Sequence, residues 1–128
     1  MKRMALLLLL AGAACKQQDA ALAVTITGQF RVPSDGDKLH LEVFDEPSGA
    51  ILRGKDWCAT PTPTCEALPA MPQGLSASLT LVQSGADHAH VKINVELMLD
   101  SAVVALGSAT TAFEPGQTVE LPIELTRP

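Results

Sequence analysis

The stretch that decides the fold is AHVKINVELML, residues 89–99. Apolar side chains occupy every second position of this stretch, and histidine, lysine, asparagine and glutamate stand between most of them. The apolar set is Ala89, Val91, Ile93, Val95, Leu97 and Leu99. Because successive side chains of an extended strand point to opposite faces, this alternation predicts a β-strand with one buried face.

Six other segments are also predicted to be strands, most of them from similar alternation, and turn-forming residues separate most of them. The predicted strands are 22–32, 39–44, 50–53, 75–81, 89–99, 102–113 and 119–125. Pro122 favours an edge strand for the last of them, and Gly107 suggests a bulge in the sixth. No segment from residue 15 onward has a helical period, so the chain is predicted to be all-β. About seven short strands indicate a single antiparallel β-sandwich over residues 22–128, which resembles immunoglobulin-like or transthyretin-like domains.

Residues 54–74 are rich in proline and are predicted to form a long loop. This loop contains Cys58 and Cys65, which we expect to form a disulfide in an exported protein. A pair of metal-binding thiols is the alternative, but zinc would need two further ligands. Trp57, beside the pair, is a candidate for contact with a partner, although it is also suited to closing the open end of the core.

The chain begins with MKRM and continues with LLLLLAGAAC, residues 6–15. A positive start followed by a short apolar run and small residues is typical of a secretory signal peptide, and the run is too short to span a bilayer. The segment AGAAC resembles the lipobox of bacterial lipoproteins, with Gly12 where leucine is commonest. This resemblance implies that residues 1–14 are removed, that Cys15 carries the lipid, and that residues 15–21 form a tether. A plain signal peptide with a free Cys15 is the alternative.

Charge limits the classes of partner. The chain has 9 basic and 14 acidic residues, and removal of Lys2 and Arg3 with the leader leaves a formal net charge of −7. An acidic domain is poorly suited to nucleic acid, and it lacks the polybasic segment that would hold anionic lipid. The acyl chains would therefore be the anchor. By resemblance to enterobacterial lipoproteins, the absence of aspartate after Cys15 favours the outer membrane, since Lys16 occupies that place.

The polar residues suggest two kinds of chemistry. His88 and His90 lie two apart on a predicted strand and therefore share a face, where they could bind one metal ion with Asp87 or His40 as a third ligand. A small hydrolase built on a Ser-His-Asp trio is the other alternative, but the sequence contains no G-x-S-x-G motif. We expect no cofactor and no catalysis.

The pattern as a whole favours a binding or structural accessory protein of the bacterial envelope. It would be exported, attached to the membrane through lipid on Cys15, and in contact with another envelope protein or a glycan. The disulfide loop or a sheet edge would make that contact.

Overall fold

The computed structural model describes residues 19–83 and 89–128; the leader, Cys15 and His88 lie outside them. The described part contains eight β-strands and no helix, which confirms the all-β prediction. The strands are β1 Ala21–Gly28, β2 Lys38–Asp45, β3 Ile51–Cys58, β4 Glu66–Ala67, β5 Leu75–Val82, β6 His90–Leu99, β7 Ala102–Ala112 and β8 Thr118–Glu124. Among the described residues there is no helix long and apolar enough to cross a membrane.

The strands form two sheets that pack as a sandwich. One sheet has three strands in the order β5-β1-β8, and the other has five in the order β4-β3-β2-β6-β7. Most neighbours are antiparallel, as predicted, but β1 pairs parallel with β8 and β3 pairs parallel with β4. The first and last strands therefore lie side by side and run in the same direction.

The core lies between the sheets and consists of the alternating apolar positions. In the five-stranded sheet, β2 and β6 pair in register, with Leu41 opposite Val95 and Val43 opposite Ile93. The three-stranded sheet supplies the facing layer, including Leu22 and Ile26. The core positions with no solvent exposure are Leu22, Val24, Ile26, Leu39, Leu41, Val91, Ile93, Val95, Leu97 and Ala105. Burial of each large aliphatic side chain contributes about 1.5–3 kcal/mol, so this alternation stabilises the sandwich.

The third strand is longer than the sequence suggested. It was predicted to end at residue 53, but β3 continues to Cys58, and the short β4 follows inside the predicted loop. The extension pairs with β2, with Lys55 opposite Leu41 and Trp57 opposite Leu39. Pairing with a well-formed neighbour therefore extends β3 through residues that have little strand propensity of their own.

Gly107 has a different role from the predicted bulge. It pairs in register with Val95, and the register shift of β7 lies further back, opposite Leu97 and Met98. A Cβ atom on Gly107 would come within 2.7 Å of the carbonyl oxygen of Glu124. Glycine therefore allows β8 to approach β7 closely across the gap between the sheets.

Candidate functional site

The most polar cluster with a defined geometry lies on the outer face of the five-stranded sheet, the face turned away from the core. The register of β2 and β3 places His40 directly opposite Asp56, and Glu42 follows His40 on the same face two residues later. His40 Nδ1 donates a hydrogen bond to Asp56 Oδ1. His40 Nε2 lies 3.6 Å from Glu42 Oε2, and Lys38 Nζ lies 3.8 Å from Asp56 Oδ2.

This arrangement favours the protonated imidazole. The hydrogen bond with Asp56 raises the pKa of His40 above its ordinary value of 6.5, partial desolvation opposes this, and the Asp56 and Glu42 charges add to the rise. His40 is half-buried, with 29% of its side chain exposed. The His40 ring therefore lies between two carboxylates and links β2 to β3 on the outer face.

The disulfide loop, residues 58–65, joins the end of β3 to the start of β4. Cys58 and Cys65 form a disulfide with a Cα–Cα distance of 5.7 Å, which confirms the predicted pair. Two backbone hydrogen bonds close the tip of the loop, because Thr62 N donates to Cys65 O at 3.0 Å and Cys65 N donates to Thr62 O at 3.2 Å. The loop is therefore held both by covalent and by backbone bonds.

The loop and the outer face enclose an open cleft of about 510 Å³, called the loop cleft below. Its lining residues are His40, Gly54, Lys55, Asp56, Thr62, Pro63, Thr64, Cys65 and Glu66. Lys55 Nζ forms an ion pair with Glu66 Oε2 at 2.9 Å. The cleft thus offers hydroxyls, a histidine and carboxylates on a rigid support, which is suited to binding a polar or charged group.

The predicted contact residue Trp57 lies on the other side of β3. Its ring packs against the core, and Lys55 Nζ lies 5.4 Å from the ring centroid. A smaller cavity of about 240 Å³ separates Trp57 from β5 and is also lined by Leu68 and Met71. A partner that contacts Trp57 would therefore have to reach it from the inner side of β3. That contact stays a prediction.

The histidine pair predicted to bind metal is only partly described. His90 is exposed at the start of β6, and His88 and Asp87 lie outside the described residues. His40 pairs with Glu96, six residues further along β6, which places it about 20 Å from the His90 position. His40 therefore cannot complete a site with His90. Residues 19–83 and 89–128 contain no group of three or more histidine, cysteine, aspartate or glutamate side chains placed to hold a metal ion.

The loop cleft contains hydroxyls, but in the described part of the chain none is hydrogen-bonded to His40. The Thr62 and Thr64 hydroxyls lie 3.4 Å from each other. A hydroxyl nucleophile needs a base within hydrogen-bonding reach, and no such pair is formed here.

Sequence reasoning missed the pair of His40 and Asp56. The alternation correctly assigns His40 to the outer face. The predicted third strand stops at residue 53, however, so Asp56 falls in the predicted loop. Continuing the alternation through Lys55 to Trp57 would have put Asp56 on the outer face as well. The hairpin register that makes the two residues neighbours needed the structure.

Comparison of the chain with protein-family models, with curated proteins and with solved structures finds no match.

Proposed function

We propose that this protein is a lipid-anchored accessory of the bacterial envelope that binds another envelope component and does not catalyse a reaction. The observation that carries the binding role is the loop cleft, a polar depression beside a loop closed by a disulfide. A loop fixed before binding loses little conformational entropy when it is occupied. Loops on a rigid sandwich are also common places for recognition.

The lipid anchor is supported by the start of the sequence. Residues 6–15 resemble a lipobox, and β1 begins at Ala21, only six residues after Cys15. Six extended residues span at most about 20 Å, so lipid on Cys15 would hold the sandwich close to the membrane surface. The disulfide fits the same location, since such bonds persist in oxidising compartments outside the cytoplasm.

Membrane attachment is tested by fractionation of cells that produce the full-length chain. The wild type should sediment with membranes and dissolve only in detergent, and a Cys15→Ser variant should remain in the soluble fraction or keep its leader. The Lys16→Asp variant is the matched control for sorting, and in an enterobacterial host it should move from the outer to the inner membrane. Equal membrane retention of the wild type and of a Cys15→Ser variant from which the leader has been removed would contradict the lipid anchor.

The binding role is tested by crosslinking in intact cells with amine-reactive reagents, followed by purification of the protein in detergent. We expect one discrete crosslinked species with the wild type and its loss with Trp57→Ala if the inner side makes the contact. Retention by Trp57→Ala and loss with Asp56→Ala would place the contact at the loop cleft. A correctly folded, membrane-bound wild type that gives no crosslinked species would contradict a binding role.

A further inference from the structure

The five-stranded sheet has an open edge at β3. The short strand β4 pairs only with Trp57 and Cys58, at the end of β3. Between Ile51 and Asp56, the described residues supply no strand on that side, so about 20 Å of edge is free. Ile51 and Leu52 are exposed there, by 61% and 37%.

The backbone directions along β3 follow from two hydrogen bonds. Ala59 N donates to Asp37 O at 2.8 Å, so the odd-numbered residues direct their backbone groups toward β2. Leu68 N donates to Cys58 O at 2.8 Å, so the even-numbered residues face the other way. Because the N–H and C=O of one residue point to the same side of a strand, Gly54 presents a donor and an acceptor to the open edge, and Asp56 presents its N–H. The Asp56 carbonyl faces the start of β4, since Trp57 pairs with Glu66 there.

We propose that this edge accepts an extended segment of another polypeptide, added as a further strand, with acidic side chains opposite Arg53 and Lys55. The proposal deepens the binding role above and rests on it. The added strand would lie in line with β4 and enter the loop cleft beside Asp56. Main-chain bonds to Gly54 and Asp56 supply the affinity in this mode of recognition, and side chains supply the specificity.

Charge is the reason for an acidic segment. Arg53 forms no ion pair with any described residue, and Lys55 is paired only with Glu66 at the margin of the edge. A carboxylate directly across from Arg53 would be a favourable cross-strand pair. A cationic side chain of the partner in the same place would be unfavourable. The charge of the partner residue opposite Arg53 therefore discriminates between partners.

Charge also disfavours a second copy of the chain at this edge. Two-fold antiparallel pairing centred on Gly54 places Arg53 of one copy opposite Lys55 of the other. Pairing centred on Arg53 places the two Arg53 side chains opposite each other. Like charges directly across a strand pair are destabilising, which is a common protection of edge strands against self-association.

The opposite edges of the sandwich are less suitable. β8 is an edge strand that carries Pro122, and β7 lies against its end through two backbone hydrogen bonds between Leu106 and Thr126, of 2.9 and 3.0 Å. β5 is the other edge strand of the three-stranded sheet, and serines and threonine alternate along it without a charged side chain. It therefore serves as the internal comparison for the experiment.

The test uses the full-length, isotope-labelled chain in detergent micelles and a ten-residue capped peptide that alternates glutamate and valine. The matched control peptide carries lysine in place of glutamate. By amide chemical-shift titration, the glutamate peptide should bind about tenfold more tightly than the lysine peptide, from the change of sign opposite Arg53 and Lys55. The largest shifts should fall on the amides of Gly54 and Asp56.

Two variants address the edge itself. Gly54→Pro removes an outward N–H, and Gly54→Ala keeps it; a Cβ atom at Gly54 meets only a carbonyl oxygen at 3.7 Å, so alanine fits. The proline variant should lose at least tenfold in affinity relative to the alanine variant, about the worth of one hydrogen bond. Arg53→Glu keeps the backbone donors and should reverse the preference, so that the lysine peptide binds more tightly than the glutamate peptide. This variant tests the proposal independently if Gly54→Pro fails to fold.

Three results would overturn the proposal: equal affinity for the two peptides, shifts centred on β5, or dimers that Gly54→Pro abolishes. Fractionation of Cys15→Ser and crosslinking of the wild type are read separately. If the peptide titration fails while fractionation and crosslinking both succeed, only the proposal of an acidic strand at the β3 edge is refuted. If crosslinking fails, the binding role itself is refuted.

Discussion

Reduction of the Cys58–Cys65 disulfide should lower the melting temperature of the domain by about 11 °C. The two cysteines are 7 residues apart in sequence. Closing a loop of about eight residues stabilises the folded state by about 2.5 kcal/mol through the entropy of the unfolded chain. A domain of about 110 residues has an unfolding entropy of about 0.23 kcal/mol/K near its midpoint, and the ratio gives the shift.

The assay is thermal unfolding of the full-length chain in detergent, followed by far-ultraviolet circular dichroism with and without a phosphine reductant. The Cys58→Ala/Cys65→Ala variant is the control, because it lacks the bridge in both conditions. It should melt with the reduced wild type, and the reductant should leave its melting temperature unchanged.

A shift below about 3 °C would refute the reasoning, because the disulfide would then restrict the unfolded chain far less than the entropy of a loop of about eight residues implies. A shift above about 20 °C would refute it in the other direction. The bridge would then hold β3 and β4 to the sheet, and loop entropy would not be its main contribution.

Three further predictions concern the core, the contact between the sheets and the pH dependence. Ile93→Ala should lower the free energy of unfolding by about 2–5 kcal/mol in urea titration, because Ile93 is fully buried. The control Asn94→Ala, on the outer face, should change the free energy of unfolding by less than about 0.5 kcal/mol. Equal losses in the two variants would contradict the assignment of Ile93 to the inner face. Gly107→Ala should cost about 1–3 kcal/mol because its Cβ atom would lie 2.7 Å from a carbonyl oxygen of β8, and Gly54→Ala is the harmless control. Because the pKa of His40 is raised above 6.5, its contribution is complete below pH 6.5 and is lost as pH rises through the folded-state pKa. The stability difference between the wild type and His40→Gln, measured by urea unfolding, should therefore shrink from pH 5.5 to pH 8.5, and a difference that grows would contradict the pairing with Asp56.

The sequence was sufficient to predict the buried face of the strands that alternate most regularly. A period of two is a local property, and a one-residue slip would move Ile93 or Leu41 from the core into solvent. The disulfide was also predictable, because the expectation of export with lipid on Cys15 leaves Cys58 and Cys65 as a pair. These inferences use neighbouring residues and need no knowledge of strand order.

The parts that the sequence did not predict all depend on contacts between distant residues. Gly54, Lys55 and Asp56 have low strand propensity, and their extended conformation comes from pairing with β2. The parallel pairing of β1 with β8 joins the two ends of the domain and leaves no local pattern. The loop cleft and the open edge of β3 follow from these pairings, so the site became visible only with the fold.

Intact-mass spectrometry of the mature protein, with and without reductant, tests the central claim of a lipid-anchored domain with a closed disulfide loop most directly. The account predicts a chain that begins at Cys15, carries the mass of attached fatty acyl groups, and gains one H₂ on reduction. A chain that begins at Met1, a mature chain without acyl mass, or a mass unchanged by reductant would contradict it.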